Sequence, residues 1–168
     1  MSERIYQTCC FTGHRESKLP WRSFESDARC LRLKQRIYDV VEAVYADGIR
    51  HFICGMANGC DLYFAEAVLH LRSVHPDITL EAAVPCATQA DNWRKELRAR
   101  YQSILLSCDT RTLVSEAYDR GCFMKRNRYM ADHSRMLIAA SNGQPGGAEN
   151  TIRYAKSKGL EIVRIPLY

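Results

Sequence analysis

The chain has 168 residues, of which 46% are hydrophobic and 26% are charged, and its formal net charge is +5. This length suits one domain of about 100 to 200 residues, and the composition excludes a fibrous or low-complexity chain. The charge lies below that of a dedicated duplex-DNA binder, although it favours an anionic ligand.

Short apolar strands alternate with amphipathic helices from the start of the chain. Residues 5–11 are rich in β-branched and aromatic side chains and predict a buried strand, and the apolar spacing over 27–46 predicts a helix that Gly48 ends. The next unit repeats this pattern, with a strand at 51–54, the turn GMANG, and a helix through 61–71. Strand followed by helix is therefore the repeating unit.

The second half of the chain continues this alternation. In chain order, its predicted elements are a strand at 78–85, a helix at 91–106, a weaker strand at 110–115, a basic helix at 123–134, a strand at 135–141, a helix through 155 and a last strand at 160–165.

This order of elements determines the predicted fold class. Alternating strands and helices predict parallel pairing, because each crossover carries the chain back across the sheet, and nearly continuous apolar strands fit a sheet that is covered on both faces. We therefore predict a single α/β domain over 1–168, with a Rossmann-like, doubly wound, mainly parallel sheet and helices on both faces. Ligands bind such sheets beyond the carboxyl ends of the strands, where the strand order reverses.

Several classes of protein are excluded by absent segments and spacings. The amino-terminal apolar run is too short for a signal peptide, and no segment reaches the roughly 18 apolar residues that a membrane span requires. Eight cysteines lack a CxxC pair or metal-finger spacing, which indicates reduced thiols. We expect a cytoplasmic protein without a membrane partner, a metal or a cofactor.

The loop after the first strand, TGHRES, joins one glycine to polar and basic side chains. Gly13 lets the backbone approach a ligand, and Arg15 offers a planar fork that suits a phosphate or a carboxylate. The same residues also fit an ordinary turn in which Arg15 is solvated and His14 is structural. This loop alone does not separate the two interpretations.

The loop after the second strand, CGMANGCD, has the features of an anion site. Gly55 follows the strand directly, Gly59 stands at the start of the helix, and Asn58 can cap that helix. Free backbone N–H groups and the helix dipole favour an anion at such a position. Asp61, in the first helical turn, suits the dipole and could equally accept a hydrogen bond from a ribose hydroxyl.

The loop after the fifth strand contains the pair Gly146 and Gly147, which lack the side chains that would block a close approach. Glu149, Asn150 and Thr151 begin the following helix, where further free N–H groups point outward. Paired glycines are common in loops, so the motif is weak alone. It gains weight because three loops of phosphate-compatible chemistry converge on one edge of the predicted sheet.

The basic segment 124–135, MKRNRYMADHSR, follows the fourth strand. A solvated basic face is the ordinary interpretation of such a run. If Asn127 and Arg128 turn toward the carboxyl edge of the sheet, they contact the same ligand.

Known catalytic fingerprints are absent. The first strand is not followed by GxGxxG, and the chain has no GxxxxGK[ST], HExxH or GxSxG. These absences argue against a dinucleotide dehydrogenase and an ATPase, and they leave no catalytic carboxylate assigned.

Five segments in order, FTGHRESKL, ICGMANGCDLYFAEAVL, PCATQADNW, KRNRYMADHS and GGAENTIRYAKSKG, resemble the YpsA-like branch of the SLOG superfamily over about 5–165. Relatives in the superfamily include the LOG phosphoribohydrolases and the Rossmann domain of DprA. The resemblance implies a Rossmann-like domain that binds a nucleotide or a nucleotide-derived ligand between the glycine loops after the second and fifth strands.

The resemblance also implies which residues bind the ligand. The positions that match its motifs are Thr12, Gly13, His14 and Arg15 in the first loop, Gly55, Asn58, Gly59 and Asp61 in the second, Arg126, Asn127 and Met130 in the basic helix, and Gly146 and Gly147 in the last loop. To these we add the residues that follow the glycine pair, which are Ala148, Glu149, Asn150 and Thr151.

Two departures from the superfamily pattern bear on activity. Many members have a threonine after the glycine pair, whereas this chain has Ala148, and Thr151 either replaces that hydroxyl or caps the helix. The LOG motif PGGxGTxxE supplies a glutamate for cleavage of the N-glycosidic bond, but here Arg153 and Tyr154 stand where that acid is sought. Glu149 comes too early in the motif to inherit its role.

Three functional hypotheses follow. The first is a sensor or regulatory module that binds a nucleotide or nucleotide derivative without cutting it. The second is a nucleoside-monophosphate N-glycosidic hydrolase with Glu149, Asp61 or Glu66 as its acid. The third is a single-stranded nucleic-acid binder that uses the segment 124–135 with Tyr129. The resemblance also favours a homo-oligomer.

Overall fold

Six strands and six helices follow one another in the computed structural model, which describes residues 2–168. The strands are β1 (Thr8–Gly13), β2 (His51–Cys54), β3 (Thr79–Val84), β4 (Thr110–Leu113), β5 (Met136–Ala140) and β6 (Glu161–Ile165). The helices are α1 (Glu3–Tyr6), α2 (Ala28–Ala46), α3 (Cys60–Val74), α4 (Lys95–Ser107), α5 (Cys122–Asp132) and α6 (Gly147–Ser157), with a 3-10 turn at Glu16–Lys18.

All six strands are parallel and lie in the order β4-β3-β2-β1-β5-β6. From β1 the chain adds β2, β3 and β4 on one side, and then returns to place β5 and β6 on the other side. The strand order therefore reverses between β1 and β5. This arrangement confirms the predicted doubly wound α/β sheet.

Helices cover both faces of the sheet because successive strand residues point in opposite directions. Cys9 and Phe11 of β1 belong to a buried cluster with α2, α3 and α4, and the ring of Phe11 stacks on that of Phe64 with centroids 4.6 Å apart. Cys10, between them, belongs to a second cluster with α5 and α6. The two clusters lie on opposite faces of the sheet.

The longest helix, α2, illustrates how the sequence specifies its elements. The Asp27 side chain accepts a hydrogen bond of 2.8 Å from the backbone N–H of Arg29 and caps the helix. The apolar residues that α2 buries recur at helical spacing and are Cys30, Leu33, Ile37, Val41 and Val44. The predicted helix over 27–46 is thus confirmed almost to the residue.

The predicted strand at 5–11 is wrong at its start. Residues 3–6 form the short helix α1 instead, and the Thr8 hydroxyl donates a 2.6 Å hydrogen bond to the carbonyl of Arg4. The physical reason is that β2 begins at His51, directly opposite Thr8, so a strand at residues 5–7 would have no neighbour on that side. Tyr6 is accordingly half exposed.

The predicted helix at 91–106 also begins later, at Lys95. Residues ahead of it form turns, in which the N–H of Asp91 donates to the carbonyl of Thr88 and the N–H of Trp93 donates to that of Ala90. The apolar face read from the sequence therefore includes Trp93, a residue of the preceding loop.

The eight cysteines are free and buried. Burial raises the pKa of the Cys9 and Cys54 thiols well above the ordinary value and raises the pKa of Cys10 to about 12. Within residues 2–168, no cluster of three or more His, Cys, Asp or Glu side chains is arranged to hold a metal ion. No helix in that range has the length and apolar character needed to cross a membrane.

Candidate ligand-binding site

A cavity of about 130 Å³ lies at the carboxyl edge of the sheet. It is built where the strand order reverses, from the loop after β1 and the starts of α3 and α6, and α5 closes it from the side. The predicted residues that line it are Thr12, Gly13, His14, Arg15, Asp61, Arg126, Asn127, Gly147 and Ala148, together with Met130.

Arg126 is the buried cation of this cavity, with 4% of its surface exposed. Its Nε donates a 2.7 Å hydrogen bond to Asn127 Oδ1, and its Nη1 donates to the backbone carbonyl of Gly55. Burial lowers the pKa of Arg126, and the negative charge of Asp61 opposes that shift. The guanidinium stays charged and is held at the cavity wall by acceptors that carry no net charge.

Gly55 lies behind Arg126 rather than in the cavity lining. A Cβ at this position would come within 2.8 Å of the Arg126 Nη1 and within 2.9 Å of its Cζ. Any larger residue would therefore displace the guanidinium. The glycine that follows β2 makes room for the arginine, which no spacing in the sequence could indicate.

Gly59 and Asn58 hold the first loop in position. Gly59 has a φ of +83°, and a Cβ there would lie 2.6 Å from the backbone nitrogen of Glu16 and 2.8 Å from the carbonyl oxygen of His14. Asn58 Oδ1 accepts a 3.1 Å hydrogen bond from the same backbone nitrogen of Glu16. These two residues support the wall that carries His14 and Arg15.

His14 ties the loop after β1 to the loop after β5. Its ring is 5% exposed, and Nε2 lies 3.2 Å from Oδ1 of Asn142, an acceptor, so this ring nitrogen donates. Burial lowers the pKa of His14, although the hydrogen bond to Asn142 opposes the shift. A neutral imidazole at neutral pH follows. Asn142 was not predicted as a site residue.

Two further cations line the cavity near its mouth. Arg15 is exposed, and its guanidinium carbon lies 4.7 Å from the centroid of the Phe123 ring. Lys18 lies on the 3-10 turn, with its Nζ 2.9 Å from the point that a Cβ on Gly146 would occupy. Sequence analysis missed Lys18 and Phe123, although Lys18 belongs to the motif FTGHRESKL.

Asp61 is the carboxylate that lines the cavity, and 6% of its surface is exposed. Its Oδ2 accepts a 3.0 Å hydrogen bond from the backbone N–H of Ala57. Burial raises the pKa of Asp61, while the charge of Arg126 and the hydrogen bond from Ala57 counteract part of that rise. The cavity therefore contains one buried carboxyl group, that of Asp61, and one buried guanidinium, that of Arg126, which stays positively charged.

The start of α6 contributes backbone rather than side chains. Gly147 and Ala148 line the cavity, and a Cβ added at Gly147 would meet no atom within 4 Å. Thr151 is fully buried, and its hydroxyl donates a 2.9 Å hydrogen bond to the carbonyl of Gly147 within the helix. Thr151 thus bonds to its own helix and does not supply the hydroxyl that Ala148 lacks.

Glu149 and Asn150 face other surfaces of the protein. Glu149 forms an ion pair of 3.1 Å with Arg164 of β6 and lines a neighbouring depression. Asn150 is exposed and lies beside Arg128, outside the candidate cavity. Glu66, the remaining candidate acid, bonds to Arg100 in a groove between α2 and α3.

The basic helix α5 presents two different faces. Arg126 and Asn127 line the cavity, whereas Arg128 points away and stacks over Tyr154 at 5.3 Å. Tyr129 also lies on the far side, where its hydroxyl donates a 2.6 Å hydrogen bond to Glu81. Of the two residues predicted to face one ligand, only Asn127 lines the cavity.

Comparison with protein families gives one match that spans most of the chain. A family model described as the YspA SLOG family matches residues 9–162. The match includes the loops after β1, β2 and β5 and the whole of α5.

Similar sequences come from bacilli. The "Uncharacterized SPbeta prophage-derived protein YoqJ" of Bacillus subtilis (strain 168) is 29% identical over 143 residues, which cover 77% of this chain and 84% of that protein. A UPF0398 protein of Bacillus cereus (strain G9842) is 25% identical over 130 residues, which cover 76% of this chain and 71% of the relative.

Two solved structures share the fold. DNA processing protein A from Helicobacter pylori, reported for its single-stranded DNA binding mode, matches with a TM-score of 0.62 and 16% identity over 96% of this chain and 66% of that chain. DprA from Streptococcus pneumoniae matches with a TM-score of 0.64 and 15% identity over 96% of this chain and 50% of that chain. The chain therefore spans about two thirds and one half of these proteins.

Proposed function

The chain belongs to the YspA SLOG family, and on this premise we propose that its cavity binds the phosphate-bearing part of a nucleotide or a nucleotide derivative. The observation that carries the proposal is the burial of Arg126. Its guanidinium donates hydrogen bonds to a backbone carbonyl and an amide oxygen, whereas the nearby Asp61 carboxylate acts on it through charge alone, without a hydrogen bond. A buried cation without a hydrogen-bonded counter-charge is costly, and a phosphate would supply that charge.

The surroundings of Arg126 support the same ligand chemistry. Arg15 and Lys18 add two positive charges at the mouth, and the backbone of Gly147 and Ala148 brings the start of α6 to the cavity. The N-terminus of a helix favours anions, because its first N–H groups lack partners within the helix and the dipole is positive there. A phosphate would thus contact cations and backbone donors together.

We propose a sensor or regulatory module rather than an enzyme. Glu149 and Glu66 are paired with arginines outside the cavity, which leaves Asp61 as the acid at the site. The neutral His14 is held by Asn142, and the described residues offer no second carboxylate in the lining to act with Asp61. This chemistry favours binding over hydrolysis.

Isothermal titration calorimetry with a panel of nucleoside mono-, di- and triphosphates and ADP-ribose tests the proposal. We expect at least one compound to bind, and Gly147→Asp to abolish binding, because the new carboxylate would repel the phosphate. Gly147→Ala is the matched control and retains binding, since its Cβ meets no atom within 4 Å. Absence of binding by the whole panel, or equal binding by Gly147→Asp, contradicts the proposal.

The purified protein is also assayed for cleavage of the N-glycosidic bond. Incubation of the protein with AMP and assay of free ribose 5-phosphate should give no product above the rate without protein. Release of ribose 5-phosphate that Asp61→Asn abolishes would replace the sensor with an N-glycosidic hydrolase.

Single-stranded DNA is the second candidate ligand. Both solved structures described above are DNA processing proteins, and one was reported for its single-stranded DNA binding mode. In this chain, Arg15 lies over the ring of Phe123 at the mouth and Lys18 lines the same cavity, a combination that suits a nucleic-acid strand. Fluorescence anisotropy with a labelled oligothymidylate should then show affinity that falls steeply with salt. No binding at low salt excludes this candidate.

A further inference from the structure

The cavity is too small to enclose a whole nucleotide. Its volume is about 130 Å³, whereas sites that enclose small organic ligands usually measure about 300 to 1,000 Å³. If the phosphate occupies the cavity beside Arg126, then most of the remaining ligand lies outside it. The surface around the mouth must therefore bind the rest of the molecule or leave it in solvent.

An aromatic pair lies at this mouth. Phe123 lines the cavity, and the guanidinium carbon of Arg15 lies over its ring at 4.7 Å. The ring of Tyr118 approaches Phe123 edge to face, with the centroids 6.2 Å apart and an interplanar angle of 65°. Tyr118 is 63% exposed. Most of its ring surface therefore stays in contact with water and does not contribute the stabilisation that burial would give.

The segment that carries Tyr118 is hydrogen-bonded to the end of β3 at its start and forms a local turn before α5. The backbone N–H groups of Val114 and Ser115 donate to the carbonyls of Val84 and Pro85, at 2.9 and 3.0 Å. Further along, the side chain of Asp119 accepts a 2.7 Å hydrogen bond from the N–H of Gly121. The exposed tyrosine is thus presented by an anchored loop that continues directly from the end of β4.

We infer that Phe123 and Tyr118, with the guanidinium of Arg15, bind the aromatic base of the ligand outside the cavity. This inference rests on the proposed function, since it takes the phosphate to occupy the cavity. A base offers a flat apolar face that stacks on aromatic rings and on guanidinium groups. The ligand class is then a nucleotide with an intact base, rather than a sugar phosphate or inorganic phosphate.

The experiment compares AMP with ribose 5-phosphate, which carries the same phosphate and sugar without the base. We expect the wild-type protein to bind AMP about tenfold or more tightly than ribose 5-phosphate. Tyr118→Ala should reduce this ratio severalfold and leave the affinity for ribose 5-phosphate unchanged, because Tyr118 does not line the cavity. Phe123→Leu should also reduce the ratio severalfold. Tyr118 is exposed, so its variant stays informative if Phe123→Leu alters the packing of α5.

Tyr6→Ala is the matched control, because Tyr6 is a similarly exposed tyrosine on α1 and does not line the cavity. It should keep the wild-type ratio. Equal wild-type affinity for AMP and ribose 5-phosphate, or an undiminished ratio in both mouth variants, overturns the base site and leaves the proposed phosphate site standing. Failure of both compounds to bind overturns this inference, and failure of the whole nucleotide panel overturns the proposed function as well.

A further measurement distinguishes binding of a single nucleotide from binding of an oligonucleotide. Anisotropy with labelled oligothymidylate is measured beside calorimetry with thymidine monophosphate. Weaker binding of the oligonucleotide supports the mononucleotide site. Much tighter binding of the oligonucleotide, lost in Tyr118→Ala, would assign the aromatic pair to a nucleic-acid strand and overturn the inference.

Discussion

Arg126 is the residue on which the candidate site depends most. Its planar fork reaches Gly55 and Asn127 while the side chain lines the cavity. Lysine keeps the positive charge, but as a single ammonium group it cannot reproduce this fork. At this position the geometry of the cation matters as much as its charge.

We predict that Arg126→Lys weakens nucleotide binding by about 10- to 100-fold, the range expected when a charged hydrogen bond worth about 1.5–3 kcal/mol is lost. Calorimetry with the best ligand of the panel measures the change. The control is Arg128→Lys, two residues along the same helix, where the guanidinium stacks on Tyr154 outside the cavity. Equal losses in the two variants would argue against a specific role for Arg126.

Gly59 gives a stability prediction. Gly59→Ala should lower the free energy of unfolding by about 2 kcal/mol or more, since its φ of +83° alone costs a residue with a Cβ about 1–2 kcal/mol and the Cβ also meets the backbone of the first loop. A fall in melting temperature of about 4–8 °C follows for a chain of this size. Gly147→Ala, which meets open space, should melt like the wild type.

Asp61 makes stability depend on pH in a direction that can be derived. Its pKa is raised by burial in the folded protein, so the folded state holds the proton more tightly than the unfolded chain. The carboxyl group therefore costs stability as the pH rises from the ordinary value of 3.8 through the raised pKa; the loss is complete above the raised pKa and absent below 3.8.

Asp61→Asn should accordingly melt at a higher temperature than the wild type at pH 7, and the difference should disappear as the pH falls toward 3. Asparagine still offers an oxygen to the N–H of Ala57. Thermal melts across this pH range measure the effect, and Asp91→Asn, at an exposed position, is the control. A variant that is less stable at pH 7 would contradict the assigned direction.

At the scale of elements, helix α5 links the cavity to a buried polar cluster on its far side. Glu81 of β3 accepts hydrogen bonds from Tyr129 of α5 at 2.6 Å and from Thr112 of β4 at 3.1 Å, and His51 Nε2 lies 2.9 Å from its other oxygen. Burial raises the pKa of Glu81, but the hydrogen bonds outweigh this and bring the pKa to about 2. The ionised carboxylate anchors the helix that carries Arg126.

Tyr129→Phe should lower the free energy of unfolding at pH 7 by about 1.5–3 kcal/mol, the worth of a hydrogen bond to a charged group. Because the pKa of Glu81 is depressed, its stabilisation is present above the ordinary value of 4.5 and is lost as the pH falls toward 2. The difference between variant and wild type should shrink over that interval in thermal melts.

The control for this prediction is Tyr154→Phe. Its hydroxyl also bonds to a carboxylate, Asp132, at 2.7 Å, but this pair is exposed on the surface. An exposed pair contributes about 0–1 kcal/mol, so the loss should be smaller. Equal losses of unfolding free energy in the two variants would show that burial of Glu81 does not strengthen its hydrogen bond with Tyr129.

Elements were predictable from the sequence to the extent that their signals were local. The apolar spacing and the cap of α2 define it without reference to other elements, and the prediction is accurate. Residues 5–7 also carry a local strand signal, but whether they form a strand depends on a neighbour that begins only at His51. The direction of Glu149 likewise depends on Arg164, which belongs to another strand.

At the scale of the whole molecule, the alternation of elements predicted parallel pairing and helices on both faces, and it indicated the carboxyl edge of the sheet, where the candidate cavity lies. It could not specify the strand order. Alternation predicts that neighbouring strands are parallel, but it does not say which strands are neighbours. The reversal between β1 and β5 brings the starts of both following loops together. Lys18 and Phe123 reach the cavity through that geometry, which local patterns do not encode.

Because all eight cysteines are buried, the reactivity of their thiols can be used to follow unfolding. A thiol must be exposed and ionised to react with an alkylating reagent, and burial prevents both in the native state. A brief pulse of N-ethylmaleimide during denaturation should therefore give two masses, one unmodified and one with eight labels, if the sheet opens in a single step. Molecules labelled at Cys10 but not at the cysteines of the opposite face would instead reveal that α5 and α6 leave the sheet before the rest unfolds.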